Sequence, residues 1–557
     1  VSDSRASTPS SARVSRRTLL SGAAAGAAGI LWIRGTDASG NPIAANRLLD
    51  GNSQEAVSGG TLTIGLGSEP DNLDMQVSPY AVSANVGVNL FDSLVYQDPA
   101  DASYKPGLAE SWEVTPDGLT YTFKLRTGVT FHDGTVYDAE AQKFNFDRTA
   151  DPATQSGFAT SLLGPYAGSE VIDPQTIVVT FSEPFAPFLD SLSQAFLAPQ
   201  SPTAIQALGA EFGTKPVGTG PFKFKEWVTK DHLTLEKNPD YNWGSPVFTH
   251  TGPAYLDEVI FKFILEDATR TGTLESGETQ LIESVAPSDI ELLEADGLTI
   301  LAGEIPGYPN GALLNVTVAP TDDLAVRQAI VAATDQAELV TTIFFDAFRP
   351  ADAALSKATW AYNEAVATQA AFDLDAANAA LEAAGWTLNG DYREKDGAKL
   401  SVNFTYSDAW DGGDYAELWQ AQLQKAGIEL VLTQLDAASK LAAVRDGSSN
   451  AAVTAWTSSD PIVLEHLFHS KNIEAGYAFS QYSDPALDEA LDSGRAEVDY
   501  ETRKGFYGTV QQIIADQALI SPFYDQKAIN GLASTLTDVK LDSRSTYRWL
   551  YEAWIAE

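Results

Sequence analysis

Trp456, Thr457, Ser458, Ser459, Asp460 and Pro461 follow the run 451–455, AAVTA, whose composition predicts a strand, so an indole, three hydroxyls and a carboxylate gather at one strand end. A hydroxyl-rich loop beside an aromatic side chain suits a sugar or another polyol, because the ring stacks on C–H surfaces while hydroxyls and carboxylate take hydrogen bonds. The plainer reading is a strand-end turn with a packed Trp. A few residues on, Glu465-His466-Leu467-Phe468-His469 places two histidines at i and i+3, close enough on a helix to share a metal with Asp460 nearby. It is not HExxH, and histidines on a helix surface are commoner than metal ligands, so no metal site is expected. There is no GxSxG elbow and no cysteine nucleophile, and no histidine stands in a recognised catalytic motif. No cofactor is called for. A pair of carboxylates for glycoside hydrolysis stays open, since their separation is spatial and not sequential.

The chain that positions this loop has 557 residues, too many for one core, and two or three lobes are expected. Apolar residues make up 44% and aromatic residues 10%, enough to exclude wholesale disorder. A formal net charge of -40 argues against nucleic acid and against anionic membrane surfaces, both of which would repel the protein. Absence of cysteine removes disulfides, thiolate metal sites and a lipid-modified cysteine anchor. Residues 15–20, SRRTLL, precede an Ala/Gly-rich apolar run ending at Trp32 and Ile33, and resemble a twin-arginine export signal. That run is shorter than the roughly 20 residues a spanning helix needs. A linker to residue 58 is expected, and an address outside the cytoplasmic membrane.

In order, Thr61-Leu62-Thr63-Ile64-Gly65-Leu66 predicts a first strand and 82–94 a helix with Val86, Leu90 and Leu94 on one face. Leu119, Tyr121, Phe123 and Leu125 alternate with Thr120, Thr122, Lys124 and Arg126, the pattern of a strand with one apolar face, entered through the turn Pro116-Asp117-Gly118. Asp138, Asp322 or Asp323, Asp373 and Asp484 stand where helix N-caps are needed. From about 322 to 456 helix-to-strand units recur, the signature of a mixed or parallel sheet.

The stretches PDGLTYTFKLRTGVTFHDG (116–134) and PVGTGPFKF (216–224), with GSEPDNLDM (67–75), NPDYNW (238–243) and DLAVRQAI (323–330), resemble the extracytoplasmic solute-binding proteins of ABC importers, in the family that includes oligopeptide-, dipeptide- and nickel-binding members. The resemblance covers the chain from Gly59 onward. It implies an α/β, two-lobed periplasmic-binding-protein-like fold (type II, cluster C) with an inserted third subdomain. The implied boundaries are signal and linker at 1–58, lobe I at 59–97, the insertion at 98–215, lobe I again at 216–306, lobe II at 307–521, and lobe I at 522–557. The strand 520–524 is expected to return the chain to lobe I.

The function implied is capture of a small polar solute, oligopeptide or oligosaccharide-like, by hinge closure, and its delivery to the transmembrane subunits of a permease, by a monomer that is no enzyme. In peptide-binding members the loop after the Trp carries an Asp that pairs with the ligand's α-ammonium. Here Ser459 stands three residues after Trp456, Asp460 comes one later, and the loop is shortened, which departs from the peptide-binding pattern. Expected cleft residues are Trp456, Ser458, Ser459, Asp460, Tyr80, Trp410, Glu69, Trp360 and Tyr547, with Asp71 and Arg349 as further candidates. The other readings carried are a secreted, carboxylate-dependent, glycosidase-like hydrolase on a two-lobed scaffold, and a sensor or chaperone that has kept the fold.

Overall fold

In the computed structural model, residues 56–407, 413–446, 448–474 and 478–556 are described. The twin-arginine segment and Trp410 lie outside the described residues.

Two sheets form the framework. The first runs in the order Thr299–Glu304, Lys527–Leu532, Leu281–Ile282, Thr61–Leu66, Glu258–Phe263, His232–Lys237 and Phe222–Val228. Its centre is Thr61–Leu66, parallel to both neighbours, with Leu62, Ile64 and Leu66 fully buried on one face. The second sheet runs Arg349–Pro350, Ile520–Asp525, Gly307–Leu314, Ala451–Thr457, Ser401–Tyr406 and Glu429–Gln434. A third, antiparallel sheet of Ala109–Val114, Thr120–Leu125, Thr176–Phe181 and Tyr166–Asp173 builds the inserted subdomain. In Thr120–Leu125 the alternation holds: Tyr121, Phe123 and Leu125 are buried. Asp138, Asp323, Asp373 and Asp484 each accept a backbone N–H at the start of a helix.

The chain passes from the first sheet to the second between Glu304 and Gly307. The return differs from expectation. Ile520–Asp525 is a strand of the second sheet, paired with Gly307–Leu314 from Ile520 to Tyr524, so the crossing falls at Gln526. The two crossings touch, because Ile305 N–H donates to the Gln526 carbonyl at 3.0 Å. Arg349 pairs with Glu304 at the same place, joining the second-sheet edge to the last residue of a first-sheet strand. Two adjacent crossings with few other covalent ties are the geometry of a hinge.

The helix expected over 82–94 is Ala81–Leu90, and the reason is the glycine turn 217–221. Phe91 leaves the helix in an extended conformation, and the Leu90 carbonyl accepts the Gly220 N–H at 2.9 Å. The turn also meets the end of the first family stretch. His132 N–H donates to Gly218 O at 2.8 Å, its Nδ1 accepts Gly218 N–H at 3.2 Å, and its Nε2 then donates to Gly220 O at 3.0 Å. Burial pushes the imidazole down to about 4, so it stays neutral. A Cβ on Gly218 would stand 2.1 Å from the Leu90 carbonyl oxygen. Backbone cannot yield there as a side-chain tip can. Gly218→Ala is therefore expected to lower unfolding stability by about 3 kcal/mol, the upper end for overpacking, as read by urea denaturation.

Candidate functional site at the interlobe cleft

Strand Ala451–Thr457 of the second lobe ends at the hinge, where Ser458 N–H donates to the Pro306 carbonyl at 3.0 Å. The loop after it is held from within by Ser458 Oγ donating to the Asp460 carbonyl at 2.6 Å. Asp460 is 1% exposed and takes a bidentate pair from Arg503, Nη1 to Oδ2 at 2.6 Å and Nη2 to Oδ1 at 2.7 Å. Burial pushes the Asp460 carboxyl up, and the Arg503 bonds oppose that push. For Arg503, burial alone would lower the guanidinium, but Asp460 overrides it and holds the group charged.

Ser459, between these anchors, donates its hydroxyl across the cleft to Asp190 Oδ1. Asp190 lies on the short helix Phe188–Leu192 of the inserted subdomain. The same carboxylate accepts Arg544 Nη2 at 3.1 Å and Gln194 Nε2 at 3.1 Å. Arg544, from the C-terminal part of the first lobe, also meets Ser193 Oγ at 3.0 Å and Asp542 at 3.4 Å. Asp542 in turn accepts the backbone N–H groups of Thr546 and Tyr547. Burial raises the Asp542 carboxyl against the pull of Arg544. Asp190 is thus reached from the inserted subdomain, the first lobe and the second lobe together. Beside it, Ala186 N–H donates to the Arg495 carbonyl at 2.9 Å, and Arg495 pairs with Glu183 at 3.0 Å.

Two cavities flank this wall. The first, about 260 Å³, has Phe158, Leu162 and Phe185 on an apolar side and Asp190, Gln194, Trp456, Ser458, Glu465, His466, Arg495 and Arg544 among its other residues. Trp456 and His466 stack, with centroids 5.4 Å apart and planes at 17°, and burial pushes His466 below its ordinary range. Glu465 is buried and pairs with Lys471 and, at 3.5 Å, with Arg495. Arg544 Nε is buried and makes no hydrogen bond among the described residues. The second cavity, about 400 Å³, lies between Tyr104, Tyr121 and Leu189 on one side and Trp360, Tyr500 and Arg503 on the other.

Of the residues singled out from sequence, Trp456 and Ser458 line the first cavity and Trp360 the second. Ser459 and Asp460 are the wall itself, and the Asp460 oxygens face Arg503 because a desolvated carboxylate needs its counter-ion there. Tyr547 is buried and contributes a backbone N–H to Asp542. Glu69 lines neither interlobe cavity. It accepts Trp227 Nε1 at 2.9 Å and borders, with Asp71, a cavity to which the second lobe contributes no described residue. Tyr80 is 51% exposed at the start of helix Ala81–Leu90. His469 turns away from His466 to Asp488 at 3.1 Å, and among the described residues no group of three or more side chains could hold a metal ion.

Asp190, Gln194, Arg503 and Arg544 had no signal in the sequence. Each stands in a run that matches no motif, and Asp190 and Arg544 are 354 positions apart.

Residues 103–474 match the family profile of the bacterial extracellular solute-binding proteins, family 5, middle domain. The glutathione-binding protein GsiB of Shigella flexneri is 28% identical over 499 residues, 86% of this chain and 91% of that protein. Among solved structures, NikA from Brucella suis, in complex with Fe(III)-EDTA, superposes with a TM-score of 0.80 at 26% identity, covering 89% of this chain and 100% of that one. The periplasmic binding protein DppA from Helicobacter pylori, in complex with the peptide STSA, gives 0.72 at 25% identity, covering 90% and 99%. The two lobes and inserted subdomain are those of a type II periplasmic-binding-protein fold. The chain belongs to the bacterial extracellular solute-binding proteins, family 5.

Proposed function

We propose that the solute captured by this substrate-binding protein of an ABC importer is a small molecule bearing both carboxylate and cationic or hydroxyl groups, of the kind a short peptide presents. The observation that carries the reading is Arg544: buried, shared by Asp190 and Asp542, lining the first cavity, and with its Nε–H without a partner among the described residues. An arginine so placed suits a ligand carboxylate, while Glu465, Asp190 and Gln194 suit a donor on the same molecule. The names of the relatives agree in kind: one binds glutathione and another is solved with a tetrapeptide.

Capture is hinge closure. The lining comes from both lobes, so ligand contacts count only when the lobes meet, and binding shifts an open-closed equilibrium toward closed. The protein acts as a monomer outside the cytoplasmic membrane, reaches it by the twin-arginine route, binds no nucleic acid, and releases its cargo unchanged. Among the described residues no helix is long and apolar enough to cross a membrane.

Titration calorimetry against glutathione, short peptides and oligosaccharides, with small-angle scattering of the same mixtures, tests this. Saturable binding of a peptide-like solute, compaction and no product are expected. Tight binding without a change in shape would remove the hinge, and turnover would restore a hydrolase. Arg544→Lys, which keeps charge but loses the planar fork, is expected to weaken the best ligand at least about ten-fold.

A further inference from the structure

The second interlobe cavity has a different chemistry from the first. Its second-lobe side carries two rings packed on each other: Trp360 and Tyr500 have centroids 4.3 Å apart and planes at 32°. Tyr500 is 45% exposed and neighbouring Val498 41%, so apolar groups stand open to solvent at the mouth of a cleft. Across from them, Val114 and Leu189 of the inserted subdomain supply apolar wall, and Tyr104 a phenol. Tyr121, behind, has its hydroxyl engaged by the Phe185 carbonyl at 3.0 Å. Among the described lining residues the cation is Arg503, and its charge is already matched by the buried Asp460. Its two Nη atoms hold Asp460 and its Nε holds the Gly494 carbonyl at 2.7 Å. Asp101, the lining carboxylate, is exposed and bonded to Ser103.

Adjacent residues of one helix divide the cleft. Leu189 lines the second cavity and Asp190 the first. A ligand held by its polar head at Asp190 and Arg544 therefore has an apolar compartment within reach.

We propose that this second cavity is a subsite for an uncharged aromatic ring, packed against the Trp360–Tyr500 pair and covered by Val114 and Leu189 when the lobes close. A sugar fits less well, because the lining offers few free donors and acceptors for its hydroxyls. A flat ring fits, because stacked or edge-on aromatic contacts and apolar burial act together without any polar partner. The inference deepens the capture of a peptide-like solute and rests on that reading for the link to the first cavity, but the ring site itself is tested alone.

The experiment is saturation-transfer NMR with p-cresol, and with cyclohexanol as the non-aromatic comparison, on the wild-type chain, Trp360→Leu and Tyr500→Ala. Saturable p-cresol binding that exceeds cyclohexanol and falls about five-fold or more in each variant is expected. Unchanged melting temperatures in Tyr500→Ala, whose side chain is half outside, exclude misfolding as the cause. Absence of p-cresol binding to the wild type, or equal binding to all three proteins, would overturn the subsite. A protein that compacts with a short peptide yet ignores p-cresol keeps its role as a receptor and loses only the aromatic subsite.

Discussion

Asp460→Ala is expected to lower unfolding stability by about 3–5 kcal/mol, because it strands the Arg503 guanidinium in the interior without its counter-ion. Both groups are nearly inaccessible, and the bidentate geometry at 2.6 and 2.7 Å is the most demanding kind of carboxylate recognition. After the substitution Arg503 keeps the Gly494 carbonyl and the rings of Trp360 and Tyr507, whose centroids are each 5.5 Å away, none of which carries a full negative charge. Removing both partners is a different matter. Asp460→Leu combined with Arg503→Met replaces two desolvated charges by apolar groups of similar size and is expected to regain most of the loss. The loop also changes its task, since Asp460 Oδ1 accepts the Ile462 N–H at 2.9 Å and so shapes the turn that aims Ser459 at Asp190. Urea unfolding of the three proteins at neutral pH reads the result. A single variant within about 1 kcal/mol of wild type would mean that the pair is not the desolvated unit described.

The same residues show what a linear sequence can and cannot convey. The alternation of Tyr121, Phe123 and Leu125 specifies a strand because side chains in a pleated chain point to opposite faces, a property local to six residues. Asp138, Asp323 and Asp373 mark helix starts because capping is a two- or three-residue interaction. The strand-end loop around Trp456 was legible for the same reason, and through the family resemblance. Its partners were not. Asp190 stands between Leu189 and Ser191 in a five-residue helix without periodicity, and its role arises only when Ser459 and Arg544 arrive from 269 and 354 positions away. Glu69 and Tyr80 were chosen by residue type at a loop, and type does not fix direction: Glu69 turns to the Trp227 indole, Tyr80 to solvent. For the strand expected over 520–524, composition does not say which sheet supplies its neighbour; the pairing of Leu313 with Ile520 does.

Asp525, the last residue of that strand, carries the second large expectation. It is 5% exposed beside the crossing at Gln526, Oδ2 accepts the Lys357 N–H at 3.3 Å, and Oδ1 has no partner among the described residues. Burial, with Asp352 and Glu304 adding repulsion and Arg349 opposing it, pushes the carboxyl up to about 7. A carboxyl raised on folding binds protons in the native state that the unfolded chain has already released. Its contribution to stability is therefore full below about pH 4 and lost as pH rises through about 7, a change of roughly 4 kcal/mol. Asp525→Asn, which keeps the acceptor for Lys357, is expected to be the more stable protein at about pH 8 and to converge with wild type only below about pH 4. Asp92, raised to about 6 by burial, slopes the same way, and His132, lowered to about 4, loses stability as pH falls from about 6.5. Both titrate equally in the two proteins, so the difference between their curves isolates Asp525. Denaturant unfolding from about pH 4 to pH 8 decides the matter. Parallel curves for Asp525→Asn and wild type would show that Asp525 is ionised throughout that range.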